Sequence, residues 1–200
     1  MKPGTPHFGL IAMGASAGGL SAVGQVLGAL PDGFDIPIAV VQHRARESAL
    51  LAELLQDCTP LPVVEVEDKQ PIVPHHVYIA PPDYHMLVDG GAFALSVEDL
   101  VLFSRPSIDV FFDSAADAYG AGVIGVVLTG ANRDGSNGLR NIVARGGRAF
   151  IQDPATAEVD AMPSFARAAV PQARVLSLDQ IGQELARIDQ QQRVKVAGPR

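Results

Sequence analysis

Residues 8–43 read FGLIAMGASAGGLSAVGQVLGALPDGFDIPIAVVQH, and this stretch decides the architecture. It opens on an apolar run, FGLIAM at 8–13, bends through small residues, and resumes with helical spacing from Gly18 to Leu30. Leu20, Val23, Val26, Leu27 and Leu30 fall along one side of that helix. A second apolar run, IPIAVVQ at 36–42, follows. Short buried strands alternating with amphipathic helices are the signature of a mostly parallel sheet covered by helices.

The same rhythm extends outward. A helix is expected from about Ser48 to Gln56, and another from about Ser107. The run VIGVVLT (123–129) predicts a buried strand, Ser136 to Arg145 a helix, and AFIQ and ARVLSL two later strands. Between Pro60 and Val97 the texture changes. LPVVEVE, HVYIA and HMLVDGGAFALSV look like short strands, and Asp89-Gly90-Gly91 can close a hairpin. The expected fold is therefore a doubly wound α/β domain over residues 1–190, with a short antiparallel β excursion around residues 60–97. Residues 191–200 are expected to form a frayed tail.

Composition narrows the class. The chain has 200 residues, 48% hydrophobic and 18% charged, enough for one well-buried core without staples. No stretch approaches the ~20 apolar positions a membrane helix needs, and the start lacks the pattern of a secretory signal. A cytoplasmic location without direct membrane insertion is the expectation. A net charge of −7 offers no electrostatic basis for binding nucleic acid or an anionic membrane. Cys58 is the only cysteine, which rules out an internal disulfide and a cysteine metal cage; it is expected to be a small buried thiol.

Gly14-Ala15-Ser16-Ala17-Gly18 matches G-x-S-x-G between a predicted strand and a predicted helix. A serine on such a turn projects its hydroxyl from the sheet edge, and the next backbone N–H can face a developing oxyanion. The alternative is a glycine-rich phosphate loop; no Walker lysine follows, and Ser16 stands where a glycine would let pyrophosphate approach. A serine nucleophile needs a base. His43 ends a buried strand at the same carboxyl edge, whereas His7 precedes the first strand and His75-His76 lies in a Pro-rich turn. His85, after PPDY, competes with His43. Asp134 follows the strand VIGVVLT and can either orient the imidazole or serve as an ordinary Asp-Gly turn residue. The order Ser16, His43, Asp134 is not that of a lipase-like α/β-hydrolase, because no histidine follows His85.

Taken together, GASAGG, VVQH, VYIAPPDYHM, FSRPSIDVFF and VVLTGANRDGSNGL resemble the catalytic domain of the chemotaxis protein-glutamate methylesterase (CheB) family over about residues 8–188. The resemblance implies hydrolysis of glutamate γ-methyl esters on the cytoplasmic helices of chemoreceptors, releasing methanol, and deamidation of receptor glutamines. It implies Ser16 as nucleophile, His43 as base and Asp134 as its carboxylate partner, with no metal and no cofactor. Ala17 and Ala131 fall on the oxyanion side and Arg105 in a recurrent segment, where it either contacts substrate or supports structure; Ser107 is a candidate helix cap. Two positions depart from the family pattern: Ala17 replaces a common threonine, and Ala131-Asn132 interrupts a G-M-G-x-D-G run. Family members commonly carry a receiver domain before the catalytic domain. This chain starts about seven residues before its first strand, so activity is expected without a phosphoryl donor. Another ester or amide substrate, or a non-catalytic receptor- or nucleotide-binding module, are the competing readings.

Overall fold

A computed structural model describes residues 7–43 and 50–197. Seven parallel strands form one sheet: β1 (Leu10–Ala15), β2 (Ile38–Gln42), β3 (Val63–Glu65), β4 (Val77–Ile79), β7 (Val123–Val127), β8 (Arg148–Gln152) and β9 (Arg174–Leu176). Their order across the sheet is β3-β4-β2-β1-β7-β8-β9. The chain leaves β1 for β2 on one side and later places β7 on the other, so the winding direction reverses at β1. In open parallel sheets the carboxyl ends of strands at such a reversal frame the binding crevice.

Both faces of the sheet are covered, which is why its strands read as continuous apolar runs. Along β1 the side chains alternate with period two. Ile11, Met13 and Ala15 pack into one core with Val23, Val26 and Leu27 of α1 (Gly19–Gly28), Leu55 of α2 (Leu51–Gln56) and Ile181, Leu185 and Ile188 of α6 (Leu178–Ala197). Leu10 and Ala12 join the other core, with Ile108, Phe111 and Phe112 of α3 (Ile108–Tyr119), Leu139 and Ile142 of α4 (Ser136–Ala144) and Met162 of α5 (Ala161–Ala169). Each fully buried large aliphatic or aromatic side chain contributes roughly 1.5–3 kcal/mol.

The fold class agrees with the sequence reading, and several details depart from it. The antiparallel part of the 60–97 segment is the hairpin of β5 (His85–Asp89) and β6 (Ala92–Ser96), turned at Gly90 and Gly91, both at positive φ, with an antiparallel bridge from Pro71 to Ala92 alongside it. The LPVVEVE and HVYIA segments instead join the main sheet as the parallel strands β3 and β4. The expected start of the second helix, Ser48, lies outside the described residues. Spacing alone assigned no helix to α5 or α6. Cys58 is exposed rather than buried, because it follows the end of α2, with its thiol directed at the Leu54 carbonyl.

Of the tail expected over residues 191–200, 198–200 lie outside the described residues, and residues 191–197 continue α6. Tertiary contacts hold them. The Gln192 side-chain amide bonds the backbone of Phe8 in both directions, accepting from its N–H and donating to its carbonyl, and Arg193 reaches the Gly33 carbonyl. Gln192→Ala should therefore cost about 1–2 kcal/mol in urea unfolding and speed hydrogen exchange at the Phe8 amide. Unchanged stability would mean that the last turns of α6 are passengers.

Candidate active site

Three strand ends meet at the carboxyl edge. Ala15 and Gln42 are register partners on β1 and β2, and Ser16 and His43 each lie one residue further on. They therefore sit side by side on strands ~4.8 Å apart. The His43 N–H donates to the Ala15 carbonyl at 3.1 Å, carrying the pairing past the end of the strands.

The turn at Ser16 is held from several directions. Its N–H donates to the Thr129 carbonyl at 2.9 Å, and its carbonyl accepts from Gly19 N–H at 2.8 Å and from Gln42 Nε2 at 2.6 Å. Gly18 has φ +77°, a conformation that favours glycine. A Cβ at Gly19 would stand 1.9 Å from the Gln42 amide oxygen, so the chain can pass Gln42 only without a side chain there. A Cβ at Gly130 would lie 2.9 Å from the Ser16 Cβ, so the loop after β7 runs directly against the serine. Among the described residues, no acceptor takes the N–H of Ala17 or of Ala131, which leaves both donors free to meet a developing negative charge.

Asp134 is the anchor of the site and is fully buried. Its Oδ2 bonds His43 Nε2 at 2.8 Å and accepts from the Ile108 N–H at 2.7 Å. Its Oδ1 accepts from the Ser107 hydroxyl and the Asp109 N–H, both at 2.9 Å. Burial alone would raise its pKa, but the bonds from His43 and from the Asp109 and Ile108 amides outweigh that and hold it below 3.8. The carboxylate sits on the first turn of α3, where the helix dipole also favours negative charge. Nearby Asp109 goes the other way. Burial raises its pKa despite the hydrogen bond from Gly138 N–H, and the Asp134 charge adds to the rise.

With Nε2–H given to Asp134, His43 presents Nδ1 as its proton acceptor. No hydrogen bond joins the Ser16 hydroxyl to His43, a contact that in hydrolases commonly tightens only with substrate bound. His85 is placed differently. It is 1% exposed, its Nε2 donates to the Asp99 carbonyl at 3.0 Å, and its Nδ1 accepts from the Ser107 N–H at 3.1 Å. Both ring nitrogens are spent on backbone. Arg105 is likewise turned inward: its guanidinium donates to Asp83 and to the Val97 and Glu98 carbonyls. Ser107 caps α3 as expected and in addition donates to Asp134.

Some contributors escaped the sequence reading. Thr129 takes hydrogen bonds on every side. Its N–H donates to Gln152 Oε1, its hydroxyl lies 2.9 Å from the Ala17 carbonyl, and the same oxygen accepts from Val159 N–H. A signal was present: the apolar runs ending at Gln42, Thr129 and Gln152 each stop on a hydrogen-bonding side chain at the same sheet edge. A cavity of about 420 Å³, lined in part by Phe8, Asp35, Ile36 and Asp189, opens at the opposite, amino edge and has no part in this site. Among the described residues no group of His, Cys, Asp or Glu is arranged to hold a metal ion, and no helix is long and apolar enough to cross a membrane.

Comparison with known proteins places this geometry. The CheB methylesterase family model matches residues 11–185. A Leptospira interrogans (serogroup Icterohaemorrhagiae serovar copenhageni) protein, provisionally named a protein-glutamate methylesterase/protein-glutamine glutaminase, is 43% identical, with 92% of this chain and 96% of that protein covered. The protein-glutamate methylesterase FrzG of Myxococcus xanthus is 41% identical over 90% of this chain, which spans 54% of FrzG. The catalytic domain of the Thermotoga maritima CheB methylesterase superposes with a TM-score of 0.86 at 31% identity, covering 92% of this chain and all of that domain.

The lowered pKa of Asp134 carries a stability signature. A carboxylate depressed in the folded state stabilises the protein above the unfolded pKa near 3.8, and that contribution is lost as pH falls through the lower folded value. Acid titration of stability should therefore show wild type losing its advantage over Asp134→Asn as pH drops below about 4. A constant difference between the two would mean that the carboxylate is not held ionised by its donors.

Proposed function

The chain belongs to the CheB methylesterase family, and we propose that it hydrolyses glutamate γ-methyl esters on the cytoplasmic helices of chemoreceptors and deamidates glutamines presented in the same way. The observation that carries this is the buried Asp134–His43 pair beside Ser16 on the strand-to-helix turn. In the proposed route Ser16 Oγ attacks the γ-carbonyl while His43 Nδ1 takes its proton. The carbonyl oxygen becomes an oxyanion facing the Ala17 and Ala131 amides. The C–O bond to the methoxy group then breaks, methanol leaves with the proton from His43, and the γ-acyl group stays on Ser16. A water deprotonated by His43 attacks this ester, releasing the glutamate carboxylate and restoring the serine. With glutamine the leaving group is ammonia.

Asp134 serves throughout by fixing the ring and stabilising the imidazolium formed at each attack. The donors from Ser107, Ile108 and Asp109 keep the carboxylate ionised and motionless, so little reorganisation is needed when charge appears on His43. The family departures at Ala17 and Ala131 leave this role intact, because the proposed oxyanion donors are backbone amides. The inward engagement of Arg105 supports a structural role for it and against substrate contact. The proposed partner places the protein in the cytoplasm.

The reading is tested by measuring methanol released from methylated receptor. Ser16→Ala should abolish it while leaving the circular dichroism spectrum unchanged, since a small half-buried hydroxyl is removed. Full activity in folded Ser16→Ala would overturn the covalent route. Asp134→Asn should lower kcat by up to about 10⁴-fold with KM little changed. An unaltered kcat would make Asp134 a turn residue only.

A further inference from the structure

The segment between β6 and α3 contains a feature that the proposed chemistry does not use. Val101 and Ser104 exchange both backbone hydrogen bonds, at 3.1 and 2.9 Å, and close a two-residue turn. Its central residues, Leu102 and Phe103, have φ of +49° and +63°. Such turns demand positive φ at both central positions and are ordinarily built from Asn and Gly, whereas here a leucine and a phenylalanine carry the strain. Phe103 gains no burial in return: it is 97% exposed. Leu100 and Val97 in the same segment, and Tyr84 near its base, are exposed too.

The base of this finger is rigid. Arg105 ties the Val97 and Glu98 carbonyls to Asp83, and His85 ties the Asp99 carbonyl to the Ser107 N–H. Ser107 in turn holds Asp134. Phe103 lies four residues before Ser107, so the chain cannot carry it more than about 14 Å from that residue. The finger is thus fixed to the same sheet edge as Ser16 and His43. Backbone strain retained by a clamped loop to display an aromatic side chain in water points to a contact made by Phe103 outside the folded chain.

We propose that Phe103 is a substrate-docking residue, engaging apolar side chains of the helix whose ester is presented to Ser16. This rests on the methylesterase reading above. Charge favours that occupant's mode of binding: a protein of net charge −7 exerts no long-range pull on a Glu-bearing helix, and esterification removes the glutamate charge, so apolar contact must supply the affinity.

The test compares two substrates, a methylated receptor cytoplasmic fragment and a short soluble peptide containing γ-methyl glutamate. Phe103→Ala should reduce kcat/KM on the receptor fragment at least ~10-fold, mostly through KM, and leave the peptide within about twofold. The double variant Leu102→Asn, Phe103→Gly relieves the turn and should raise Tm by about 2–4 °C while showing the same receptor defect. A purely structural Phe103 would instead give a lower Tm and equal losses on both substrates. Wild-type kcat/KM on the receptor fragment in Phe103→Ala would overturn the inference, and so would a sedimentation shift from dimer to monomer, which would assign the finger to a second copy of the chain. A wild-type protein inactive on both substrates would refute the methylesterase reading itself.

Discussion

The buried carboxylate of Asp134 is the constraint on which the carboxyl edge of the sheet depends. A charge with no solvent exposure is tolerable only when each oxygen is satisfied, and here four donors converge on it. Those donors come from different places in the chain: His43 after β2, and Ser107, Ile108 and Asp109 at the start of α3. Asp134 itself follows β7. Satisfying one ion therefore locks the end of β2, the first turn of α3 and the loop after β7, two strands away across β1, into one arrangement. His85 extends the lock by bonding the Ser107 amide and the Asp99 carbonyl from beneath.

Around Ser16 the work is done by uncharged groups. Gln42, Thr129 and Gln152 terminate apolar strands; Gln42 Nε2, the Thr129 hydroxyl and both ends of the Gln152 amide bond backbone atoms of the Ser16 turn, the β7 loop and the β8 loop, while Gln42 Oε1 is buried without a partner among the described residues. Neutral hydrogen bonds suit this position because they fix the backbone without placing a field on the serine. Among the described residues, the charge bonded to the imidazole is that of Asp134. Asp109, close by, is pushed toward its neutral form by burial, and the Asp134 charge pushes in the same direction.

The sheet edge thus divides its labour. One side, built on α3 and the 97–107 segment, holds the ion pair and carries the exposed aromatic finger. The other, built on the Ser16 turn and the loop after β7, supplies the hydroxyl and two unengaged amides. A polypeptide substrate lying across the edge would meet both. This arrangement explains why the helix covering α3 residues 108–119 packs so closely: Ile108 and Phe112 fill space against Gly14, Gly135 and Gly138, leaving no slack between the two halves.

Much of this was legible in the chain itself. Apolar runs of strand length alternating with 3.6-residue periodicity determined a parallel sheet, because only βαβ connections satisfy both patterns. The G-x-S-x-G turn and the histidine ending the next strand followed from the same local reading. What needed the tertiary structure was nonlocal. The β3 and β4 segments look like meander strands in isolation, and only pairing with β2 makes them parallel. His43 and His85 are both strand-associated, and only the identity of their ring partners separates them. Asp134 precedes a glycine as countless turn residues do; its part in the site is decided by donors 25 to 91 residues away in sequence. The last turns of α6 look solvated in sequence and are held by Phe8 from the far end of the chain. Periodicity reports which face of an element is buried, while hydrogen-bond partners and strand neighbours are set by chain closure over long distances, which leaves no mark on local sequence.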